Sequence, residues 1–152
     1  MDNRISALCL AFNDTSHLDF LYIANTELGG ALSSFAEAVD WKGEPFTASF
    51  KQAMLGFSID DFVRQFNPLF PNHIKIDVDG IENKIIKGAE KTLSDRRVKS
   101  ILVELDSSRE KYCKEVMEAI EKAGMNFIKK KHAPMFDNGQ FSDGYNYIFM
   151  RS

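Results

Sequence analysis

Histidine, cysteine and tryptophan are scarce in this chain, and each scarcity closes off a class of function. The three histidines, His17, His73 and His132, are scattered with no ligand spacing such as HxxxH, so no metal centre is expected and all three are read as structural or surface residues. The two cysteines, Cys9 and Cys113, lie far apart, without a CxxC pair, which fits reduced thiols in a cytoplasmic protein. Charge of one sign is also lacking. The formal net charge is −3, and the single basic run, Lys129-Lys130-Lys131, reads as a solvated strand end, so no nucleic-acid footprint is expected. Long hydrophobic runs are missing too. The stretch from Ile5 to Phe12 is too short to span a bilayer, and Arg4 before it is followed by no clear small-residue cleavage site, so neither a membrane span nor a targeting signal is expected. Trp41 and the many phenylalanines are assigned to the core, because no basic residues interleave with them as in a stacking platform.

What is present is enough for one folded unit. The chain has 152 residues, 44% of them apolar, and neither an internal repeat nor a linker divides it, so residues 1–152 are read as a single domain. Ile5 to Phe12, the turn residues Asn13-Asp14-Thr15-Ser16 and the apolar run Leu18 to Ile23 suggest a β-hairpin. The segment from Asn25 to Ser58 is punctuated by Gly29-Gly30, Gly43 and Gly56 and reads mostly as loop, with one strand over Phe46 to Phe50. Ser58 is placed to cap a helix whose face is Ile59, Phe62, Val63 and Phe66, ended by Pro68 and Pro71. A helix after Gly80 presents Ile81, Ile85, Ile86, Ala89 and Leu93 on one side and Lys84, Lys87, Glu90 and Lys91 on the other. Ile101 to Leu105 is a strand. A helix starting near Ser108 carries Tyr112, Val116, Met117 and Ile120 and stops at Gly124. Phe127-Ile128 and Tyr145 to Met150 form the last strands, with a turn at Asp137-Asn138-Gly139 between them. This order predicts the tail of a doubly wound α/β sheet ending in an antiparallel strand pair.

The chemistry concentrates at Pro71-Asn-His-Ile-Lys-Ile-Asp-Val-Asp-Gly-Ile-Glu82. Ile74, Ile76 and Val78 alternate with Lys75 and Asp77, which predicts a strand, and Gly80 permits a sharp turn into the next helix. Ligands of α/β sheets sit at the carboxyl ends of strands. Asp77, Asp79 and Glu82 are thus expected to crowd one crevice, where their mutual repulsion demands a cation, a proton or hydrogen-bond donors. Glu104, at the end of the next strand, faces either that crevice or solvent. Asp79 and Glu82 also fit a plainer role at the positive end of the following helix. Lys75 is expected to reach an acid across the sheet.

Three stretches together carry a family resemblance: Ile74-Lys-Ile-Asp-Val-Asp-Gly-Ile-Glu82, Ile86-Lys-Gly-Ala89 and Ile101-Leu-Val-Glu104. They resemble the later motifs of the FkbM methyltransferases. Phe57-Ser-Ile-Asp-Asp-Phe62 and Asn146-Tyr-Ile-Phe149 resemble that family's neighbouring segments, so the likeness is firm from Phe57 onward and loose before it. It implies a Rossmann-like methyltransferase sheet, S-adenosylmethionine as methyl donor, and a hydroxyl of a small molecule or glycan as acceptor. Asp77, Asp79, Glu82 and Glu104 then become the candidate catalytic acids, with Asp77 and Glu82 first, one of them positioning or deprotonating the acceptor. No strand is followed by GxGxxG or Gly-x-Gly, the turn that approaches the cofactor in such folds. The resemblance therefore implies a sheet truncated at its N-terminal side by two βα units of ~30 residues each, with weak or no cofactor binding by this chain alone.

Two other classes compete. Asp77-Val-Asp-Gly80 matches the Asp-x-Asp-Gly signature of haloacid-dehalogenase-like phosphatases, in which Asp77 and Asp79 would work with Mg²⁺. A non-catalytic methyltransferase-like module, self-associating through an exposed sheet edge as a homo-oligomer, follows from the same truncation.

Overall fold

The computed structural model describes residues 5–27, 32–132 and 134–152. Gly29-Gly30, expected in a loop, lies outside the described residues. The elements form a mixed α/β fold with two four-stranded sheets, rather than the one continuous sheet expected. In chain order they are β1 (Ala11–Phe12), β2 (His17–Ile23), β3 (Ser33–Phe35), β4 (Phe50–Phe57), α1 (Ile59–Phe66), β5 (His73–Ile76), α2 (Glu82–Lys87), α3 (Glu90–Ser94), β6 (Ser100–Asp106), α4 (Glu110–Lys122), β7 (Asn126–Lys131), a short 3₁₀ turn (Pro134–Phe136) and β8 (Gly144–Met150).

The first sheet has the order β1-β4-β2-β3 and corrects two expectations. β1 and β2 are not a hairpin. β4 lies between them, parallel to β1 at Ala11↔Gly56 and antiparallel to β2 from His17↔Gly56 to Ile23↔Phe50. The loop reading of Asn25 to Ser58 also gives way, because β3 and β4 both fall there and the strand starts at Phe50, where Phe46 to Phe50 was expected. Few side chains of β4 are buried, so its alternation carries little apolar signal; pairing along the length of β2 is what makes it a strand.

The second sheet follows expectation, in the order β5-β6-β8-β7. β5 runs parallel to β6, while β8 is antiparallel to both β6 and β7, so the chain closes with an antiparallel pair. Ile76, Ile101, Val103, Tyr147 and Phe149 share the face that packs on α2, α3 and α4, where Ile85, Ile86, Leu93, Val116 and Ile120 complete the core. The opposite face carries Lys75, Leu102 and Glu104. The lysines of β7 are exposed, as expected for a solvated strand end.

The helices are built as their local chemistry dictates, with one exception. Ser58 Oγ accepts the Asp61 amide at 3.0 Å and α1 ends at a left-handed Asn67 just before Pro68. The single helix expected after Gly80 is broken into α2 and α3 at Gly88-Ala89. A Cβ on Gly88 would lie 2.2 Å from the carbonyl oxygen of Asn13, the residue after β1, so only glycine permits that approach, and the Gly88 carbonyl accepts the Asp60 amide at 2.9 Å. The carboxylate of Asp60 then accepts the Lys91 and Thr92 amides at 2.9 and 2.7 Å and restarts the helix as α3. The fourth helix begins at Glu110 with its neighbour Arg109 at the N-cap, close to Ser108 as expected, and the Ser108 hydroxyl donates to Asp106 Oδ1 at 2.6 Å. Its end is as expected, Gly124 taking φ +84°.

Candidate functional site

β5 and β6 are parallel neighbours, so their carboxyl ends open on the same side, and both ends are acidic. Asp77, Asp79, Glu82, Glu104 and Asp106 all line one crevice of about 70 Å³, together with Trp41 and Phe141. The four acids singled out from the sequence thus converge. Their roles differ with their surroundings.

Asp77 is tied to Lys75, whose ammonium stands 2.5 Å from Oδ2, so the lysine reaches an acid just past the end of its own strand rather than across the sheet. Glu104 projects from the face of β6 away from the helices; burial first, and the charge of Asp77 second, push its pKa up, against the pull of Lys75. Asp79 is raised for the same two reasons, partly offset by the backbone amides of Ser33 and Leu32. Among the acids of this crevice, Glu104 and Asp79 are therefore two that hold a proton more readily than an exposed carboxylate. Asp106 is occupied, taking the Ser108 amide at 2.9 Å and its hydroxyl at 2.6 Å.

Glu82 is the most enclosed of the five, 3% exposed. Its Oε1 accepts the Gly80 amide at 3.1 Å and its Oε2 accepts the Tyr112 hydroxyl at 2.6 Å. Burial pushes its pKa up and these donors work against that shift; Tyr112 is pushed up in turn by burial and by Glu82. With one donor on each oxygen, Glu82 fastens the Asp79-Gly80 turn to α4. This is not an N-cap: Ile81 holds that position in α2 and no side chain caps it.

The roof of the crevice comes from residues that sequence reasoning missed. Trp41, expected in the core, is half-buried and packs against Phe141 with ring centroids 5.1 Å apart and the rings tilted by 52°. Arg109 donates to the Trp41 carbonyl oxygen at 3.0 Å and lies 3.8 Å over the Tyr112 ring, so it ties the roof to α4. Gly80, at φ +91°, lets the Asp40 carbonyl approach to 2.3 Å from where a Cβ would stand. No local pattern marks Trp41, Arg109 or Phe141, and the helical spacing of Tyr112 assigns it to an apolar stripe.

A family model described as the methyltransferase FkbM domain matches residues 2–127. The chain belongs to this family. The match of this FkbM domain reaches back through the first sheet, where the resemblance in the residues was loose, and stops within β7, so β8 lies beyond it. Searches of curated proteins and of solved structures find no match. Among the described residues no three His, Cys, Asp or Glu side chains form a metal-binding set, and no helix is long and apolar enough to cross a membrane. Cys9 is exposed and Cys113 buried, each a free thiol.

The donor that the family implies, S-adenosylmethionine, finds no glycine cradle among the described residues. A Cβ at Gly43, Gly56, Gly80, Gly88, Gly124 or Gly144 would meet this chain's own atoms within 3.2 Å, and Gly139, with nothing within 4 Å, sits in the turn before β8. None of these glycines offers a free approach at a strand-to-helix turn.

Proposed function

We propose that the crevice at the ends of β5 and β6 is the acceptor side of an O-methyl-transfer site, and that the acceptor is a hydroxyl of a small molecule or glycan. The convergence of Asp77, Asp79 and Glu104 beneath the Trp41–Phe141 pair carries this reading. At about 70 Å³ the space is far below the ~300–1,000 Å³ of whole-ligand pockets. It suits the reacting hydroxyl and its carbon, with the rest of the acceptor outside. One wall of acids and one of aromatic rings fits a sugar-like ring that presents hydroxyls to one side and C–H groups to the other.

The chain's own residues do acid–base and positioning work in this proposal. Glu104, desolvated and beside Asp77, is the best placed to take the hydroxyl proton, since its raised pKa makes it a stronger base than an exposed carboxylate. Asp77 and Asp79 orient the hydroxyl. Glu82 holds the turn that carries Asp79. The order β5-β6-β8-β7, with its parallel pair and antiparallel closure, supports a Rossmann-like sheet. Behind the haloacid-dehalogenase reading stand the Asp-x-Asp-Gly string and the placement of Glu104 and Asp106 in the same crevice, but among the described residues no acids form a set that could hold its metal ion.

The test uses a homologue that carries the donor half. Replacing the counterparts of Asp77, Asp79, Glu82 and Glu104 by their amides should lower turnover by ~10²–10⁴ at the proton acceptor, with the Glu104 counterpart the most affected; unchanged turnover in all four removes the catalytic role. For this chain, calorimetry with S-adenosylmethionine should give no saturable heat. A tight, saturable heat would overturn the division of the site. The missing cradle also favours a second reading, a non-catalytic methyltransferase-like interaction module, which the same titration plus an acceptor screen separates from the first.

A further inference from the structure

β1 and β5 each stand at the end of a sheet, with one backbone edge unpaired among the described residues. Both line the same groove, of about 490 Å³, with Leu21, Phe35 and Met54 of the first sheet as its floor and Ile74 and Ile76 as its far wall. Parallel strands such as β5 belong in the interior of sheets, where neighbours satisfy both edges. An open edge beside an apolar floor is a template for another strand unless something blocks it. Lysine is a common blocker, but Lys75 is held by Asp77.

The chain also exposes a segment that matches the groove. Ile5-Ser-Ala-Leu-Cys-Leu10 is uncharged and long enough for a strand, yet it forms no ladder; Ile5 is 70% and Leu8 57% exposed. Leu10 and the residues that follow it are already the near wall of the groove, as Ala11 and Phe12 of β1. To lie against its own β5 the segment would have to reverse within Cys9-Leu10, giving those residues up to the turn. A second molecule has no such restriction.

We propose that the groove between β1 and β5 receives the Ile5–Leu10 segment of a second copy as an added strand on β5. Each copy offers one segment and one groove, so the exchange closes into a two-fold dimer. Backbone hydrogen bonds to β5 supply the pairing, and the floor receives alternate side chains of the incoming strand. This inference is independent of the methyl-transfer reading.

The test uses the whole chain. Sedimentation from low to high micromolar concentration should reveal a monomer–dimer equilibrium. Combined Ile5→Asp and Leu8→Asp substitutions, at exposed positions that leave the circular dichroism unchanged, should weaken it on the order of 100-fold. Contact is read with the exposed natural thiol of Cys9: in a Lys75→Cys variant, ¹⁵N-labelled and unlabelled copies are mixed and gently oxidised. Mass spectrometry should find the disulfide between Cys9 and the introduced thiol with one labelled and one unlabelled half. A monomer throughout, a dimer unaffected by the aspartates, or a disulfide formed only within one copy would each overturn the proposal.

Discussion

Gly80→Ala tests the account of the crevice most directly. The backbone at Gly80 has φ +91°, a conformation that costs an L-residue ~1–2 kcal/mol. The added Cβ would also stand 2.3 Å from the Asp40 carbonyl oxygen. That oxygen cannot yield freely. It accepts the Gly43 amide at 2.9 Å, the Asp40 carboxylate holds the Lys42 and Glu44 amides at 2.8 and 2.9 Å, and Arg109 grips the next carbonyl, of Trp41, at 3.0 Å. Forcing a methyl group into such a contact adds ~1–3 kcal/mol, for a sum of ~2–5 kcal/mol. In a chain of this size 1 kcal/mol is ~2–4 °C, so Tm should fall by roughly 4–20 °C. Trp41, the only tryptophan, sits on the displaced loop, so its emission should shift with the melt followed by circular dichroism. Gly139→Ala is the control: φ is +128° but nothing lies within 4 Å of the new methyl, so only the strain, of ~1–2 kcal/mol, applies. If Gly80→Ala melts no lower than Gly139→Ala, with Trp41 emission unchanged, the Asp40–Gly80 contact does not hold the roof.

Three further outcomes follow from the same geometry. The pKa of Glu104 is raised above its unfolded value of 4.5, so its charge opposes folding increasingly as pH climbs through that value to the folded one; Glu104→Gln should be at least as stable as the parent at pH 7, with the advantage lost at pH 4, by urea midpoints. Tyr112→Phe removes the 2.6 Å donor to the buried Glu82 carboxylate, costing ~1.5–3 kcal/mol at pH 7. That cost should shrink near pH 4.5 as Glu82 takes a proton, and a pH-independent loss would contradict the assignment. Arg151→Met strips hydrogen bonds from the carbonyls of Val98, Ala123 and Gly124, at 3.0, 3.1 and 3.2 Å, and from that of Leu93, at the ends of α3 and α4. A loss of ~2–4 kcal/mol is expected in thermal melts; a change below ~0.5 kcal/mol would mean that water replaces the guanidinium at no cost.

The second half of the molecule was legible because its signals are local. Ser58 and Asp61 are three residues apart, the stripe from Ile81 to Leu93 lies within thirteen, and β5 and β6 announce themselves by continuous apolar runs ending in acids. Of the first sheet only the run that becomes β2 was legible; its pairing was not, since β4 is a strand only by virtue of β2, some thirty residues upstream, and its own side chains are mostly exposed. The same holds for the break between α2 and α3, where the Gly88 carbonyl accepts the amide of Asp60 and the Asp60 carboxylate takes the Lys91 and Thr92 amides.

The central acidic stretch divides along the same line. Its composition alone determined that Asp77, Asp79 and Glu82 would gather at a strand end, and strand order along the chain was enough to bring Glu104 beside them, because parallel neighbours open on one side. Only the tertiary structure decided how each acid is held. Desolvation, the grip of Tyr112 on Glu82 and the roof of Trp41 and Phe141 arise from contacts between residues tens of positions apart, and a pKa is set by everything within a few ångströms, whatever its place in the sequence.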